Sequence, residues 1–420
     1  MYFCFMPNNI DFYTTVDSME PLFPDDASRE LEALAIELIE KAGKLSGVLN
    51  PITRVALGDF LRPMNSYYSN LIEGHDAHPL DIERALNNDF SKDKINRDLQ
   101  KEALAHINLH KYITEKYASG VEIRNPASGE FLKEIHKKFY DHLPEEFKFA
   151  KSKDNKKLKV TPGEFRKAEV EVVKHIAPFS ASIDLFAHRF QNFYNPTNAN
   201  NKSKIKRIIS IAASHHRLAW IHPFLDGNGR VVRLFSDACF MYEGLDAFGL
   251  WSISRGLARS NNNYKSHLAN ADQIKLNNYD GRGNLSNKYL IEFCGYFLKV
   301  AIDQITFMTK VIDAETMANR LDAFGELMAL RNYFKPEAKY ILTELFLKGK
   351  ISKSDAMRIT NTSDKTIKII AESLIKLELL YTKKEGIHMM YYAKYPIRFS
   401  PLLFPGLYPC DKEIDMMNII

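Results

Sequence analysis

At residues 221–233 the chain reads Ile-His-Pro-Phe-Leu-Asp-Gly-Asn-Gly-Arg-Val-Val-Arg, and this stretch carries most of the information about fold and function. His222 can accept a proton near neutral pH, and Asp226 offers the carboxylate that a hard divalent cation prefers. Gly227 and Gly229 allow the backbone to turn tightly and to approach a ligand closely. This combination of residues is typical of chemistry on nucleotide phosphates.

A helix is expected directly after this loop, because Val231, Leu234 and Ala238 recur at helical spacing. The first turn of a helix presents unpaired backbone N–H groups and the positive end of the helix dipole, which together attract an anion. Arg230 and Arg233 are three positions apart, so both side chains would reach from one face of the helix toward the same ligand.

The stretch resembles the signature of the Fic family, His-Pro-Phe-x-(Asp/Glu)-Gly-Asn-Gly-Arg-x-x-Arg, and every fixed position is present. Fic enzymes mostly transfer AMP from ATP to a hydroxyl of a protein. The resemblance implies that His222 is the general base and that Asp226 binds Mg²⁺ at the α- and β-phosphates. It further implies an anion hole from Gly227, Asn228 and Gly229, with Arg230 on the β-phosphate and Arg233 on the γ-phosphate. The alternative is a Gly/Asn turn between two core helices, capped by His222 and Asp226.

A second motif lies upstream, where Ser69 and Glu73 are four residues apart on one face of a helix that is expected to begin near Pro51. Gly74 is suited to end that helix. The pattern resembles the inhibitory motif (Ser/Thr)-x-x-x-Glu-(Gly/Asn) of Fic proteins. This resemblance implies that Glu73 pairs with Arg233, in an arrangement expected to be bidentate, and inhibits the same chain. The alternative is a solvated carboxylate at a helix end.

Two further sets of contacts are expected around the site. Fic proteins carry a hairpin flap that pairs with an extended target segment by strand addition, and the β-branched run after residue 165 fits that position. Phe165, Val172 and Val173 are the candidate target contacts, although an ordinary structural hairpin is the alternative. Tyr264 is the candidate contact for adenosine, with a core tyrosine as the alternative.

The composition is that of a globular protein. The chain has 420 residues, 45% of them hydrophobic, and a net charge of +5, which by itself does not indicate nucleic acid. Four scattered cysteines form neither a disulfide framework nor a metal site and are consistent with a reducing cytoplasm. No apolar run is long enough for a bilayer, so no membrane association is expected.

The expected fold is mainly α, with a helical Fic domain, a small β-hairpin flap and a C-terminal winged helix-turn-helix. The predicted organisation is an N-terminal arm and inhibitory helix region at 1–90, a Fic core at 91–312, a helical linker at 313–335 and the winged domain at 336–420. Within the first region, residues before Asp26 read as an irregular arm.

The C-terminal region is predicted to contain three helices and a two-stranded wing, with the second helix opening at Ile351. DNA binding is not favoured, because Lys365 and Lys368 in the supposed recognition helix are offset by Asp364 and Glu372. Interaction with a protein or formation of a homodimer is the preferred role.

The leading functional hypothesis is a protein adenylyltransferase that uses ATP and Mg²⁺ to modify a Ser, Thr or Tyr hydroxyl of a target protein and of itself. Three alternatives remain: removal of AMP from a target, transfer of the γ-phosphate, and a nucleotide-sensing DNA-binding regulator. The phosphate-transferring branch of the family departs from the glycine after Asn228, and this chain retains it as Gly229.

Overall fold

The structure is a computed structural model that describes residues 13–118, 125–151, 157–172, 175–198 and 203–418. It confirms the mainly helical fold. In chain order the helices are α1 Glu30–Gly47, α2 Pro51–Ile72, α3 Pro79–Leu86, α4 Lys94–Ala118, α5 Gly129–Asp141, α6 Ile183–Tyr194, α7 Lys204–Ile221, α8 Asn228–Tyr242, α9 Ile253–Arg259, α10 Asn261–Ala271, α11 Asn287–Val311, α12 Ala314–Leu330, α13 Ala338–Lys348, α14 Lys353–Thr360, α15 Asp364–Lys376, α16 Ser400–Leu403 and α17 Cys410–Met417.

The strands are short and belong to three small antiparallel sheets. They are β1 Phe149–Lys151, β2 Lys157–Lys159, β3 Glu171–Val172, β4 His175–Ile176, β5 Lys350–Ser352, β6 Leu380–Glu385 and β7 His388–Ala393. β1 pairs with β2 and β3 with β4, while the third sheet has the order β5-β7-β6. The β3–β4 pair lies where a hairpin flap was predicted.

Helices α7 and α8 form the centre of the molecule and carry the signature stretch between them. From Ile208 to Ile221 every residue of α7 except Ala219 is buried, which is the pattern of a helix packed on all sides. The start of α7 is capped by Ser203, whose Oγ accepts the N–H of Lys206. Because both ends of the connecting loop belong to buried helices, the loop is held on a rigid base.

The helix that carries Ser69, α2, is anchored against the C-terminal region. Asn50 caps it by accepting the N–H groups of Ile52 and Thr53. The Oγ of Thr53 donates to the carbonyl of Phe346 at 2.7 Å, and the hydroxyl of Tyr68 donates to that of Leu407 at 2.8 Å. Movement of α2 would therefore disturb its contacts with α13 and with the segment between α16 and α17.

The N-terminal arm is more ordered than the sequence predicts over the residues that are described. A 3₁₀ turn covers Val16–Met19, and both Met19 and Leu22 are fully buried. Arg217 of α7 donates to the carbonyl of Pro21 at 2.9 Å, so the arm is fastened to the central helix.

The C-terminal region has the predicted succession of helices and wing, with one correction. Ile351 lies in strand β5, which pairs with β7, so the sheet has three strands instead of two. The second helix begins only at Lys353, because Ser352 and Asp355 form a reciprocal capping box. Helix α12 covers most of the predicted linker, whereas the domain boundaries themselves stay predictions. Among the described residues, no helix has both the length and the apolar character needed to span a membrane.

Candidate active site

The loop between α7 and α8 is closed by the side chain of Asn228. Its Oδ1 accepts the N–H of Phe224 at 2.9 Å, and its Nδ2 donates to the carbonyl of Phe224 at 2.7 Å. Gly227 has φ +78°, and a Cβ there would lie 3.1 Å from the ring of Tyr140, so glycine is required. The Asn228 amide therefore shapes the loop, and the backbone N–H groups of the α8 first turn are free to act as anion donors.

His222 ends α7 in the left-handed conformation, with φ 50° and ψ 58°, and is 4% exposed. Burial lowers its pKa well below the ordinary value, and the positive charge of Arg166 lowers it further. The imidazole is therefore a neutral base at pH 7. Arg166 holds the same loop, since its Nε donates to the carbonyl of His222 and its backbone N–H to that of Pro223, both at 2.9 Å.

Asp226 is positioned by two residues of α5 that the sequence analysis did not identify. The hydroxyl of Tyr140 donates to Oδ2 of Asp226 at 3.0 Å, and Nε2 of His136 lies 3.2 Å from its carbonyl oxygen. Because Nδ1 of His136 accepts the N–H of Gly163 at 2.9 Å, Nε2 must carry the proton. Burial lowers the pKa of His136 to about 3, so this ring remains neutral.

Arg230 extends from the first turn of α8 into a buried site and is 6% exposed. Its Nη1 donates to Oε1 of Glu102 at 3.1 Å, and its guanidinium lies 4.6 Å from the ring centroid of Phe139. Burial would lower the pKa of Arg230, but the attraction of Glu102, together with that of Tyr140, Asp226 and Glu73, outweighs burial and raises it. Arg230 is therefore permanently charged.

Arg233, one turn further along α8, contacts both residues of the upstream motif. Its Nε donates to Oγ of Ser69 at 2.9 Å, and its Nη2 donates to the Ser69 carbonyl and to Oε1 of Glu73, both at 2.8 Å. The predicted Glu73–Arg233 pair is confirmed, but it is not bidentate, because only Nη2 donates to the carboxylate while Nε donates to Ser69. Burial alone would raise the pKa of Glu73. The attraction of Arg233, followed by that of Arg230, outweighs burial, so the pKa lies below its ordinary value.

The Glu73 carboxylate also lies directly over the start of α8. A Cβ on Gly229 would be 2.1 Å from Oε1 of Glu73 and 3.1 Å from Nη1 of Arg233. A larger residue at this position would require the Glu73 carboxylate to move from where it lies. Glu73 thus occupies the end of the helix where N–H groups and dipole favour a negative charge.

The remaining predicted residues are placed less favourably for ligand contact. Tyr264 is buried, and its hydroxyl bonds Nε2 of His215 at 2.8 Å, which matches the alternative of a core tyrosine. Phe165 packs on Phe224 of the loop, with ring centroids 5.4 Å apart. Val172 pairs with His175 in the β3–β4 ladder through its backbone, and Val173 lies outside the described residues.

The donors present fit a magnesium ion held partly by a nucleotide. Within the described parts of the chain, no group of three or more His, Cys, Asp or Glu side chains could hold a metal by itself. Mg²⁺, however, is commonly bound by one or two carboxylates together with substrate phosphates. The Asp226 carboxylate is partly exposed beside the α8 first turn and could supply that protein ligand.

Comparison with known proteins gives a consistent assignment for this part of the chain. Residues 126–239 match the Fic/DOC family model. Proteins named "Protein adenylyltransferase Fic" from Drosophila grimshawi and Drosophila melanogaster are each 26% identical over 178 residues, which is 42% of this chain and 32% of each relative. The match thus spans about a third of those relatives' length.

A crystal structure of a Fic family protein from Desulfovibrio desulfuricans G20 aligns with a TM-score of 0.51 and 14% identity, covering 88% of this chain and 98% of that one. At this identity the likeness concerns the fold. The loop geometry and the two arginines agree with the family match, and residues 126–239 of the chain are therefore similar to the Fic domains of the Fic/DOC family.

Proposed function

We propose that this chain is a protein adenylyltransferase that transfers AMP from ATP to a Ser, Thr or Tyr hydroxyl of a target protein and of itself, and that Glu73 inhibits it. The observation that carries the proposal is the position of the Glu73 carboxylate, which binds Arg233 and covers Gly229 at the start of α8. A carboxylate there occupies a place built for an anion, and the phosphates of ATP are the anions that the loop would otherwise bind.

In the proposed reaction, the neutral imidazole of His222 accepts the proton of the target hydroxyl. The hydroxyl oxygen forms a bond to the α-phosphorus, while the bond between that phosphorus and the oxygen leading to the β-phosphate breaks, so pyrophosphate leaves. Arg230 and Arg233 hold the leaving phosphates together with the N–H groups of the α8 first turn. Mg²⁺ held by Asp226 would neutralise charge on the phosphates.

Inhibition follows from the contacts of Arg233. While Nη2 of Arg233 donates to Glu73, the guanidinium cannot fully hold the γ-phosphate, and the carboxylate repels that phosphate. ATP would then bind weakly, or with its α-phosphate out of line with the target hydroxyl. Because Glu73 and Arg233 belong to one chain, the inhibition needs no second molecule.

AMP transfer is favoured over the alternatives by two facts. The relatives above are named adenylyltransferases, although the match spans about a third of their length. In addition, the chain retains Gly229, where the phosphate-transferring branch differs.

The experiment that tests the proposal compares ATP labelled at the α-phosphate with ATP labelled at the γ-phosphate, using the Glu73→Gly chain and Mg²⁺. We expect label on the protein from the α-position only. Label from the γ-position would indicate phosphotransfer instead, and no label from either would contradict both readings.

For the C-terminal domain we propose contact with a protein or a second copy of the chain. Lys365 and Lys368 are exposed on α15, but so are Asp364 and Glu372, which gives no uniformly basic surface for DNA.

A further inference from the structure

Glu102, in the middle of α4, belongs to none of the motifs yet connects two of them. Its carboxylate is buried, and the two oxygens face different partners: Oε1 accepts from Nη1 of Arg230 at 3.1 Å, and Oε2 lies 2.5 Å from Nδ1 of His75. One side chain therefore joins the first motif arginine to the segment that follows the inhibitory helix.

Arg230 needs such a partner, because a buried guanidinium without a counter-charge is strongly unfavourable. Phe139 covers one side of it, and the carboxylates of Asp226 and Glu73 attract it as well. Without Glu102, those two carboxylates would compete for the guanidinium. Drawing Arg230 toward Asp226 would bring together two groups that must act separately on the phosphates.

His75 is fixed relative to Glu73 by the way α2 ends. The N–H of Gly74 donates to the carbonyl of Leu71, and the N–H of His75 donates to that of Asn70, both at 3.0 Å. This is a Schellman motif, with Gly74 at φ +87°. Since this cap is rigid, a contact that holds His75 also holds the Glu73 backbone two residues earlier.

We propose that Glu102 is a positioning residue that keeps Arg230 in place for the phosphates and, through His75, fastens the end of α2 in its inhibitory position. This inference rests on the proposed function, which it extends from the Glu73–Arg233 pair to the first motif arginine, Arg230. One carboxylate on α4 would then link Arg230 to the end of the inhibitory helix.

The first test measures positioning in the active Glu73→Gly background. Glu102→Gln keeps the size of the side chain and removes its charge, and we expect the KM for ATP to rise about tenfold or more, with a smaller change in kcat. Glu115→Gln, an exposed acid on the same helix, is the matched control and should leave both constants unchanged. An unchanged or lower KM in Glu102→Gln overturns the positioning role.

The second test measures the link to the inhibitory helix. His75→Ala in the chain that retains Glu73 should raise the self-labelling rate roughly two- to fivefold, since the contact is partly exposed. In the Glu73→Gly background the same substitution should have no effect. His75→Asn, which keeps a donor near the Nδ1 position, should restore inhibition. An equal change in both backgrounds, or no change in either, overturns the link.

A failure of the proposed function can be told apart from a failure of this inference. If Glu73→Gly transfers nothing, the transferase proposal fails, and titration calorimetry with ATP then tests Glu102 alone, with weaker binding expected for Glu102→Gln. If Glu102→Gln does not fold, Glu102→Asp replaces it. That variant keeps the charge, shortens the reach by one methylene and should show the same rise in KM.

Discussion

Substitution of Glu73 by glycine should convert the inhibited chain into an active one. The carboxylate is 18% exposed and accepts one hydrogen bond, at 2.8 Å, from an arginine that is 1% exposed. Glycine is well tolerated at this position, because Glu73 is the C-cap residue of α2 and lies outside the regular helix. The expected result is tighter binding of ATP and faster self-labelling.

The size of the effect can be worked out from this single contact. A hydrogen bond to a charged group contributes about 1.5–3 kcal/mol, which corresponds to a roughly 10- to 150-fold change in productive ATP binding. A bidentate pair would place the effect above this range. Because Ser69 still accepts two hydrogen bonds from Arg233, the guanidinium should keep its place when Glu73 is removed.

The assay measures ATP affinity by titration calorimetry and the self-labelling rate with ATP labelled at the α-phosphate. Asp59→Asn, which removes an exposed charge from the same helix, is the control and should behave as the unchanged chain. Arg233→Ala in the Glu73→Gly background should cancel the gain, because the released partner is then missing. Unchanged affinity and rate in Glu73→Gly would refute the inhibitory reasoning and leave Glu73 as an ordinary helix-end carboxylate.

Four further expectations concern the same loop. His222→Ala should abolish transfer while changing ATP affinity less than about twofold, since a base acts on the hydroxyl and not on the phosphates; retained transfer would contradict this role. Asp226→Asn should weaken Mg²⁺-dependent ATP binding and stop turnover, which a normal Mg²⁺ requirement in the variant would disprove. Gly229→Ala should destabilise the chain by at least about 1 kcal/mol, because the new Cβ would collide with the Glu73 carboxylate. The loss should be much smaller in a Glu73→Gly background, where that carboxylate is absent. Equal losses of unfolding free energy in both backgrounds would argue against the contact. Burial lowers the pKa of His136 to about 3, so below about pH 6.5 the unfolded chain binds a proton that the folded chain does not. His136 should therefore reduce the unfolding free energy by about 1.4 kcal/mol per pH unit as the pH falls from about 6.5 toward 3. Denaturant titrations of His136→Gln at several pH values should lack this contribution to the pH dependence of the unfolding free energy.

Much of the helical frame could be predicted from the sequence because amphipathic spacing is a local signal. The helix expected to begin near Pro51 is Pro51–Ile72, and the one expected directly after the signature loop is Asn228–Tyr242. The contact between Glu73 and Arg233, 160 residues apart, was expected only through the family resemblance. Spacing along the chain gives no information on such a pair.

The residues that could not be placed from the sequence have physical causes of the same kind. Glu102 and Tyr140 meet the loop from other helices, so no pattern in their own neighbourhoods marks them. Ile351 was assigned to a helix because the capping box of Ser352 and Asp355, which starts the helix at Lys353, was not recognised. For Tyr264, the surrounding sequence could not decide between a ligand contact and the core, where its hydroxyl meets His215.

The most direct measurement of the central claim is the intact mass of the Glu73→Gly chain after incubation with ATP and Mg²⁺, beside the same chain carrying His222→Ala. We expect a gain of one or more adenylyl groups in the Glu73→Gly chain and no gain in the chain that also carries His222→Ala. A gain of phosphate instead, an adenylyl group that persists without His222, or an unchanged mass in both would contradict it.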